Sequence, residues 1–253
     1  MKKSVGLLAV CAVGAVSLSA FAVQVAGTLL VDLSAADVAG LGVGSKVQNW
    51  PNNGSLGLAF TNAVANQGPE FRRYGAANTP AVYFAASANS VLAGMPSDPR
   101  ITGTGSWTLE TWINMPSLAS SSTYFSWTFR GASSDGGGGP GNRLFEARYS
   151  SDANAIEHYS GNLSWNNAKP PQDQWHHIVL TRDGSTRVEY VYVNGVQVQA
   201  ATMANVNILP DGIFTIGATQ NGARTGWEQL LSGYIGQIRV HTGFMPQYDA
   251  ILN

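Results

Sequence analysis

The chain has 253 residues, a formal net charge of −1 at neutral pH and only 11% charged side chains. No basic run or patch is present, which argues against nucleic acid or an anionic membrane surface as a partner. Few charges combined with abundant Gly, Ser, Thr and Asn are typical of β-strands that are linked by many turns and expose a neutral, hydrogen-bonding surface.

The N-terminus has the features of a secretory signal. Two lysines precede an apolar run of residues 5–18, and residues 20–22 supply the small-x-small pattern of a signal peptidase site. We therefore expect a signal peptide over residues 1–22 and one domain over residues 23–253. Cys11 lies inside the signal, so the mature chain would have no disulfides. The expected location is secreted, periplasmic or cell-surface, with no membrane insertion after cleavage.

Strand-like segments rich in Val, Ile, Thr and aromatic residues recur along the mature chain, each bounded by Gly, Pro, Asn or Asp. The clearest are Thr28–Leu33, Leu56–Phe60, Ala81–Ala85, Trp107–Asn114, Thr123–Arg130, Arg143–Tyr149, Trp175–Arg182, Arg187–Asn194, Ile213–Gly217 and Tyr234–His241. Helical turns are expected only at Ser34–Gly40 and Pro246–Leu252. Many strands and few helices predict a β-sandwich or jelly roll.

The segment Trp175–Gly195 predicts two strands joined by an Asp-Gly loop, with an Asn-Gly turn after the second. Trp175–Arg182 is apolar on both faces, which predicts a central, covered strand. Two packed sheets explain such a strand better than one open sheet. The predicted fold class is therefore an all-β, two-sheet antiparallel sandwich.

Three motifs carry a family resemblance, and they occur in the expected order. They are W-H-H-I-V-L-T-R-D-G at residues 175–184 followed by V-Y-V-N-G at 191–195, W-T-L-E-T-W-I at 107–113, and G-Y-I-G-Q-I-R-V at 233–240. Together they resemble laminin G-like (LamG), or concanavalin A-like, jelly-roll domains, in a bacterial secreted subgroup. The resemblance covers nearly all of residues 27–253 and implies a scaffold that is usually used for binding.

Three tryptophans of these motifs are large enough to fill the space between two sheets. They are Trp107, Trp112 and Trp175, and we expect all three in the core.

The sequence offers no clear catalytic motif. The E-x-D-x-E type strand of laminarinase-like enzymes with this architecture is absent, and Glu110 has no carboxylate two or four residues away. Glu146 and Glu157 could still meet in space. His176 and His177 are adjacent on a strand, so they should point to opposite faces and not chelate one metal ion. No catalytic residue is predicted.

Calcium is an option that the resemblance raises, since many laminin G-like and lectin relatives bind it. Oxygen donors suited to calcium are available in the side chains of Asp32, Asp183, Asp211 and Asn221. No spacing selects among them, and each could simply cap a turn. The metal ligands are therefore left unassigned.

Aromatic residues in loop-rich regions are the candidates for ligand contact, because aromatic rings stack on sugars while Asn and Arg hydrogen-bond hydroxyl groups. The predicted ligand-binding residues are Trp165, Tyr149, Tyr159, Arg130 and Asn166. Sealing an edge of the sandwich is an equally good interpretation of Trp165.

The hypothesis from the sequence is a secreted, non-catalytic module that binds a polysaccharide or surface glycan, with calcium assistance as one option. Two alternatives stay open: a divergent polysaccharide-active hydrolase or lyase, and a structural or adhesive protein of the cell envelope.

Overall fold

The computed structural model describes residues 26–96, 98–116, 122–127, 144–149, 154–158, 161–210 and 212–245. The predicted signal peptide and the predicted helical turn Pro246–Leu252 lie outside these ranges. Within them, no helix is long and apolar enough to cross a membrane.

The described residues form 18 strands and three short 3-10 helices. The strands are β1 Leu29–Ser34, β2 Asn49–Pro51, β3 Ala59–Asn62, β4 Glu70–Tyr74, β5 Thr79–Phe84, β6 Leu92–Pro96, β7 Trp107–Asn114, β8 Thr123–Trp127, β9 Phe145–Arg148, β10 Asn154–Glu157, β11 Leu163–Ser164, β12 Trp175–Asp183, β13 Val188–Val193, β14 Val196–Thr202, β15 Ile213–Ile216, β16 Thr219–Gln220, β17 Trp227–Glu228 and β18 Gly233–His241. The 3-10 helices are Ala35–Leu41, Ala86–Ala88 and Pro99–Ile101. The first confirms the predicted turn at Ser34–Gly40, and the Ser34 hydroxyl caps it by accepting from the Ala36 amide.

Two antiparallel eight-stranded sheets confirm the predicted sandwich. Sheet A runs β14-β13-β12-β7-β18-β5-β4, with β1 also paired to β18. Sheet B runs β11-β10-β9-β8-β15-β6-β3-β2. Strands β16 and β17 form a separate two-stranded ribbon. The predicted central strand is confirmed, since β12 lies between β7 and β13 inside sheet A.

The space between the sheets is filled by aromatic rings. Trp127 stacks on Phe145 with ring centroids 3.7 Å apart, and Trp107 meets both rings edge-on at 5.5 and 4.6 Å. Trp107 has no exposed surface, so its predicted place in the core is confirmed. A core of this size explains how the described domain holds together without disulfides.

A buried ionic network joins the two sheets. Arg182 of β12 donates to Glu189 of β13 at 2.8 Å, and His158, which follows β10, places Nε2 3.0 Å from the same carboxylate. His158 is fixed on its other side because Nδ1 lies 2.8 Å from the Leu144 carbonyl oxygen. All three side chains are fully buried, so each depends on its partners to offset the lost hydration.

The predicted hairpin is confirmed in detail. β12 pairs with β13 around the Asp183 loop, where the Asp183 carboxylate accepts from the backbone and hydroxyl of Ser185 and from the Thr186 hydroxyl. β13 then turns into β14 at Asn194 and Gly195, whose φ angles of 48° and 87° suit a two-residue turn with two left-handed positions.

Candidate functional site

Side-chain alternation gives sheet A one face toward sheet B and one face toward the outside. On β7, Trp107, Leu109 and Ile113 face inward, while Glu110 and Trp112 face outward. The same alternation separates Ile178 from His177 on β12.

Trp112 lies on this outer face, so the expectation that it fills the core is wrong. It sits directly opposite His177 on β12 and Gln237 on β18, and 39% of its surface is exposed. Its ring stacks on the His177 imidazole with centroids 4.9 Å apart and planes 24° from parallel. Trp112 is five residues from Trp107, and an odd separation on a strand reverses the face.

Trp175 is also on the outer face and partly exposed, which corrects its predicted core position. Its indole extends across β7 toward Gly236 of β18, where an added Cβ would lie 3.4 Å from Trp175 Cζ3 and 3.6 Å from Trp112 Cβ. The glycine therefore leaves room for both indoles to lie low over the sheet.

Three tyrosines continue this surface. The Tyr234 ring is 4.8 Å from Tyr83 and 4.9 Å from Tyr74, and Tyr74 meets Trp175 edge-on at 5.8 Å. All three tyrosines are partly exposed. We call the surface formed by Tyr74, Tyr83, Trp112, Trp175 and Tyr234 the aromatic face.

A hydrogen bond ties the aromatic face together across the sheet. The Tyr74 hydroxyl, at the end of β4, donates to Asp173 Oδ1 at 2.5 Å, just before β12 begins. This bond to a carboxylate, aided by burial, raises the pKa of Tyr74 above its usual value. The Tyr74–Asp173 bond therefore links an edge strand to the middle of the sheet.

A cluster of ionisable side chains surrounds the His177 ring on which Trp112 stacks. His177 Nε2 lies 2.7 Å from Glu110 Oε1, and Arg239 donates from Nε to Asp32 at 3.1 Å. Arg239 also lies 3.9 Å from Glu110. This chain of charged groups fixes the His177 ring, which gives Trp112 a rigid base and leaves its other face toward solvent.

The rim of the aromatic face beside Tyr83 carries three charges. Lys46 Nζ and Arg72 Nε both donate to Glu70, at 3.0 and 2.9 Å, and the Arg72 guanidinium lies 5.9 Å from the Tyr83 ring centroid. Burial alone would raise the pKa of Glu70, but the bonds from Lys46 and Arg72 outweigh it and the pKa falls below its usual value. Glu70 is therefore ionised at neutral pH.

The opposite end of the outer face is covered by residues 242–245. Thr108 donates to the Gly243 carbonyl oxygen at 2.7 Å, and the Met245 amide donates to the Thr181 hydroxyl at 3.1 Å. Phe244 packs on Tyr190 at 5.3 Å. Among the described residues, the large side chains exposed on the outer face of sheet A are therefore those of the aromatic end.

His176 and His177 diverge as predicted. His176 Nε2 lies 2.9 Å from the Pro171 carbonyl oxygen on one side of the sheet, whereas His177 meets Glu110 on the other. Both histidines serve the scaffold, and they share no metal site.

The predicted ligand contacts that lie among the described residues, Trp165, Tyr149 and Asn166, are not part of the aromatic face. Trp165 and Tyr149 have 0% and 1% exposed surface and pack edge-on at 6.2 Å, so neither has a ring face to offer a sugar. Trp165 seals the sandwich, as its alternative interpretation held. Asn166 is exposed, but its side chain donates to the Val198 carbonyl oxygen at 3.2 Å. Arg130 and Tyr159 lie outside the described residues.

Glu146 and Glu157 do meet, as direct neighbours on β9 and β10. Both are buried, and Arg148 forms an ion pair with Glu157 and lies 3.9 Å from Glu146. A buried carboxylate pair that shares an arginine is suited to holding strands together, since neither acid faces solvent in this arrangement.

Three of the four possible calcium donors already have hydrogen-bonding partners. Asp32 pairs with Arg239, Asp183 accepts three bonds from its own loop, and Asn221 accepts the Thr225 and Gly226 amides. Hydrogen bonds from Ser185 and Thr186 hold the pKa of Asp183 below its usual value. Asp211 lies outside the described residues, and the rest contain no group of three acidic, His or Cys side chains able to hold a metal.

Comparison with solved structures finds the same fold in carbohydrate-related and toxin proteins. Domain 4 of AbnA, an extracellular arabinanase from Geobacillus stearothermophilus solved with arabinotriose, aligns at a TM-score of 0.54 and 17% identity over 89% of this chain and 98% of that domain. The binding domain of Paraclostridial Mosquitocidal Protein 1 aligns at 0.55 and 11% identity, over 88% of this chain and 51% of that one. Part of NanB sialidase from Streptococcus pneumoniae aligns at 0.49 and 15% identity, over 68% of this chain and only 27% of the sialidase, which is too weak a match to establish a shared fold.

No curated protein matches the chain by sequence. The model of one protein family does match, over residues 77–247, and its description is "Concanavalin A-like lectin/glucanases superfamily". That match includes the motifs on β7, β12, β13 and β18 that form the centre of sheet A. The chain therefore belongs to the laminin G-like branch of the concanavalin A-like lectin/glucanase superfamily.

Proposed function

We propose that the chain is a secreted, non-catalytic carbohydrate-binding module that holds a glycan across its aromatic face. The observation that carries the proposal is the exposure of Trp112 on a rigid base in the middle of a sheet. A large aromatic ring in that position is costly to leave in water and has no role in the core, so a ligand surface is its best explanation.

The neighbouring groups suit a sugar. Trp175 and the three tyrosines add further ring surface on which the C–H faces of sugar rings can stack. Gln237, opposite Trp112 on β18, and Asp173, beside Tyr74, supply hydrogen-bonding groups for hydroxyls. The arabinotriose in the arabinanase domain supports a glycan as the ligand class, since that domain shares this fold.

Titration calorimetry against a panel of soluble polysaccharides tests the proposal, with Trp112→Ala as the decisive variant. Loss of one stacking ring should weaken binding about ten-fold, or about 1.4 kcal/mol. Trp227→Ala is the matched control, because Trp227 is a partly exposed tryptophan on the separate β16–β17 ribbon. Equal loss in both variants, or no binding by the wild-type protein, would refute the proposal.

Calcium is not part of the proposed mechanism, because the available donors are committed to Arg239 and to their own turns. Binding should therefore be the same in calcium and in a chelator. A loss of affinity in the chelator would show that residues other than those donors bind the ion.

The absence of catalysis is likewise proposed, on the ground that Glu146 and Glu157 are buried with Arg148. Reducing-end release from the same panel checks it. Turnover that disappears in Glu146→Gln or Glu157→Gln would restore the hydrolase alternative.

Secretion rests on residues 1–22 and is tested by cell fractionation of the full chain and of a chain lacking those residues. Binding to cell-surface proteins without binding to any glycan would favour the adhesive alternative instead.

A further inference from the structure

The charged side chains around the aromatic face bear on whether neutral or acidic glycans bind there. The described cations there are Lys46, Arg72 and Arg239, and the described carboxylates are Asp32, Glu70, Glu110 and Asp173. Three cations therefore stand against four carboxylates in and beneath the surface where we place the ligand, Glu110 being the buried one.

Each of these cations is also already paired. Lys46 and Arg72 share Glu70, and Arg239 donates to Asp32 and lies near Glu110. A sugar carboxylate or sulfate arriving at the face would have to displace a protein carboxylate from its cation, and it would meet repulsion from the others.

Glu70 has the largest part in this arrangement. It is the one described carboxylate that contacts Lys46 and Arg72, and both cations are substantially exposed, with 38% and 44% of their side-chain surfaces in solvent. Arg72 also lies over the Tyr83 ring, within the aromatic face itself. Without the Glu70 charge, two exposed cations would stand beside the stacking rings, which is the arrangement that binds anionic groups.

We propose, on the basis of the proposed function, that the aromatic face takes an uncharged polysaccharide and that Glu70 is the residue that excludes acidic ones. Glu70 acts on specificity by occupying Lys46 and Arg72, and it needs no contact with the sugar to do so. The stacking rings supply affinity for any pyranose or furanose chain of suitable shape, while the paired charges reject the anionic members.

The test uses pairs of polysaccharides that share a backbone and differ in charge. Suitable pairs are hydroxyethylcellulose with carboxymethylcellulose, methyl-esterified with de-esterified homogalacturonan, and dextran with dextran sulfate. Affinity gel electrophoresis and calorimetry at low and high ionic strength would measure binding of the wild type, Glu70→Gln and Asp98→Asn.

Wild-type protein should bind a neutral member and bind its anionic partner more weakly. Glu70→Gln should gain roughly five-fold in affinity for the anionic partner, and added salt should remove the gain because the new attraction is between exposed charges. Glutamine keeps the shape of the side chain and one of its two acceptor oxygens, and Glu70 is on an edge strand with both of its cationic partners substantially exposed, so the fold should survive.

Asp98→Asn is the matched control. It also removes a carboxylate from an ion pair with an exposed arginine, here Arg100, but it does so before the start of β7 and away from the aromatic face. Asparagine also preserves the helix cap that Asp98 makes to the Arg100 amide. This variant should gain no affinity for anionic chains.

Three outcomes would overturn the inference. If the wild type preferred the anionic member of a pair and added salt weakened that preference, the aromatic face would favour negatively charged glycans. A folded Glu70→Gln without the gain, or an equal gain in Asp98→Asn, would remove Glu70 from the mechanism. A wild type that binds no polysaccharide, or binds without Trp112, would instead refute the proposed function and the inference with it.

Discussion

Trp107 and Trp112 lie on the same strand of sheet A and have opposite surroundings. Trp107 faces sheet B and is enclosed by Trp127 and Phe145, whereas Trp112 faces outward on His177 with much of its ring in solvent. The inner face of the strand thus holds the sandwich together, and the outer face is free to recognise a ligand. One strand can contribute to both faces because its successive side chains point to opposite sides of the sheet.

The ionic groups repeat this contrast. On the inner side, Arg182, Glu189 and His158 are sealed between the sheets, with no exposed side-chain surface. On the outer side, Lys46, Arg72 and Glu70 are partly exposed and remain in contact with water. Breaking the inner network should therefore affect folding, while breaking the outer one should affect what binds.

The largest expected loss of stability comes from a substitution on the inner face. Trp107→Ala should lower the free energy of unfolding by about 3–5 kcal/mol, since it leaves a cavity between the sheets. Trp112→Ala should change it by less than about 1.5 kcal/mol, because the ring is already partly in water. Chemical denaturation of both variants measures the difference, and similar losses would break the comparison.

Glu189→Gln is the next largest expected effect. Removing this charge leaves Arg182 buried without its anion, and the expected loss is about 3 kcal/mol. The double variant Glu189→Gln with Arg182→Met should recover part of that loss in denaturation experiments, because no charge is then stranded. If Glu189→Gln cost no more than the loss of a surface ion pair, about 0–1 kcal/mol, the network would not be structural.

The pH dependence that His241 contributes to stability tests whether the covered end of the outer face excludes water as the core does. Burial lowers the pKa of His241, with Glu110 opposing and Arg239 adding to the shift. The unfolded chain, with an ordinary histidine pKa of about 6.5, then binds more protons than the native state below that pH. Stability should therefore fall as the pH drops from about 6.5, by up to about 1 kcal/mol for this residue.

His241→Gln should reduce that acid-side loss in denaturation curves at about pH 7 and about pH 5. Part of the loss should remain, since burial also lowers the pKa of His176. An unchanged pH dependence would mean that the covered end admits water to His241.

At the open end of the outer face, the expected effect is again smaller than those of Trp107 and Glu189. Tyr74→Phe removes the bond to Asp173 and should cost about 0.5–1.5 kcal/mol at neutral pH. Because the folded-state pKa of Tyr74 is raised, its contribution is complete below the ordinary value of about 10 and is lost as the pH rises through the folded value. The difference in unfolding free energy between wild type and variant should therefore shrink at alkaline pH, and a constant difference would contradict this account.

The sequence was sufficient to predict the fold. The β7 motif, the Asp-Gly loop and the Asn-Gly turn are local features, and each has the bounds or conformation that its residues predict. Eight of the 18 strands were not predicted, namely β2, β4, β6, β10, β11, β14, β16 and β17. One of them, β4, is an edge strand in which only Phe71 is buried, so it shows no apolar pattern.

The site was not predictable in the same way. Loop position suggested Trp165 as a ligand contact, yet its ring is buried, while Trp112 was assigned to the core and is exposed. The odd separation of five residues between Trp107 and Trp112 did indicate that their side chains lie on opposite faces of the strand. What the sequence could not show is that Tyr74, ninety-nine residues from Asp173, would meet it across the sheet, because that contact depends on the curvature and pairing of the whole sheet.

Residues 26–28 and 242–245 meet at the covered end, where the amides of Thr28 and Thr242 bond across and an added Cβ on Gly243 would collide with the Ala26 carbonyl. The two ends of the described part of the domain are therefore held together over the outer face of sheet A, where Met245 packs with Val179 and Tyr192. A substitution that frees one of these two segments should also loosen the other, since each is a hydrogen-bonding partner of the other.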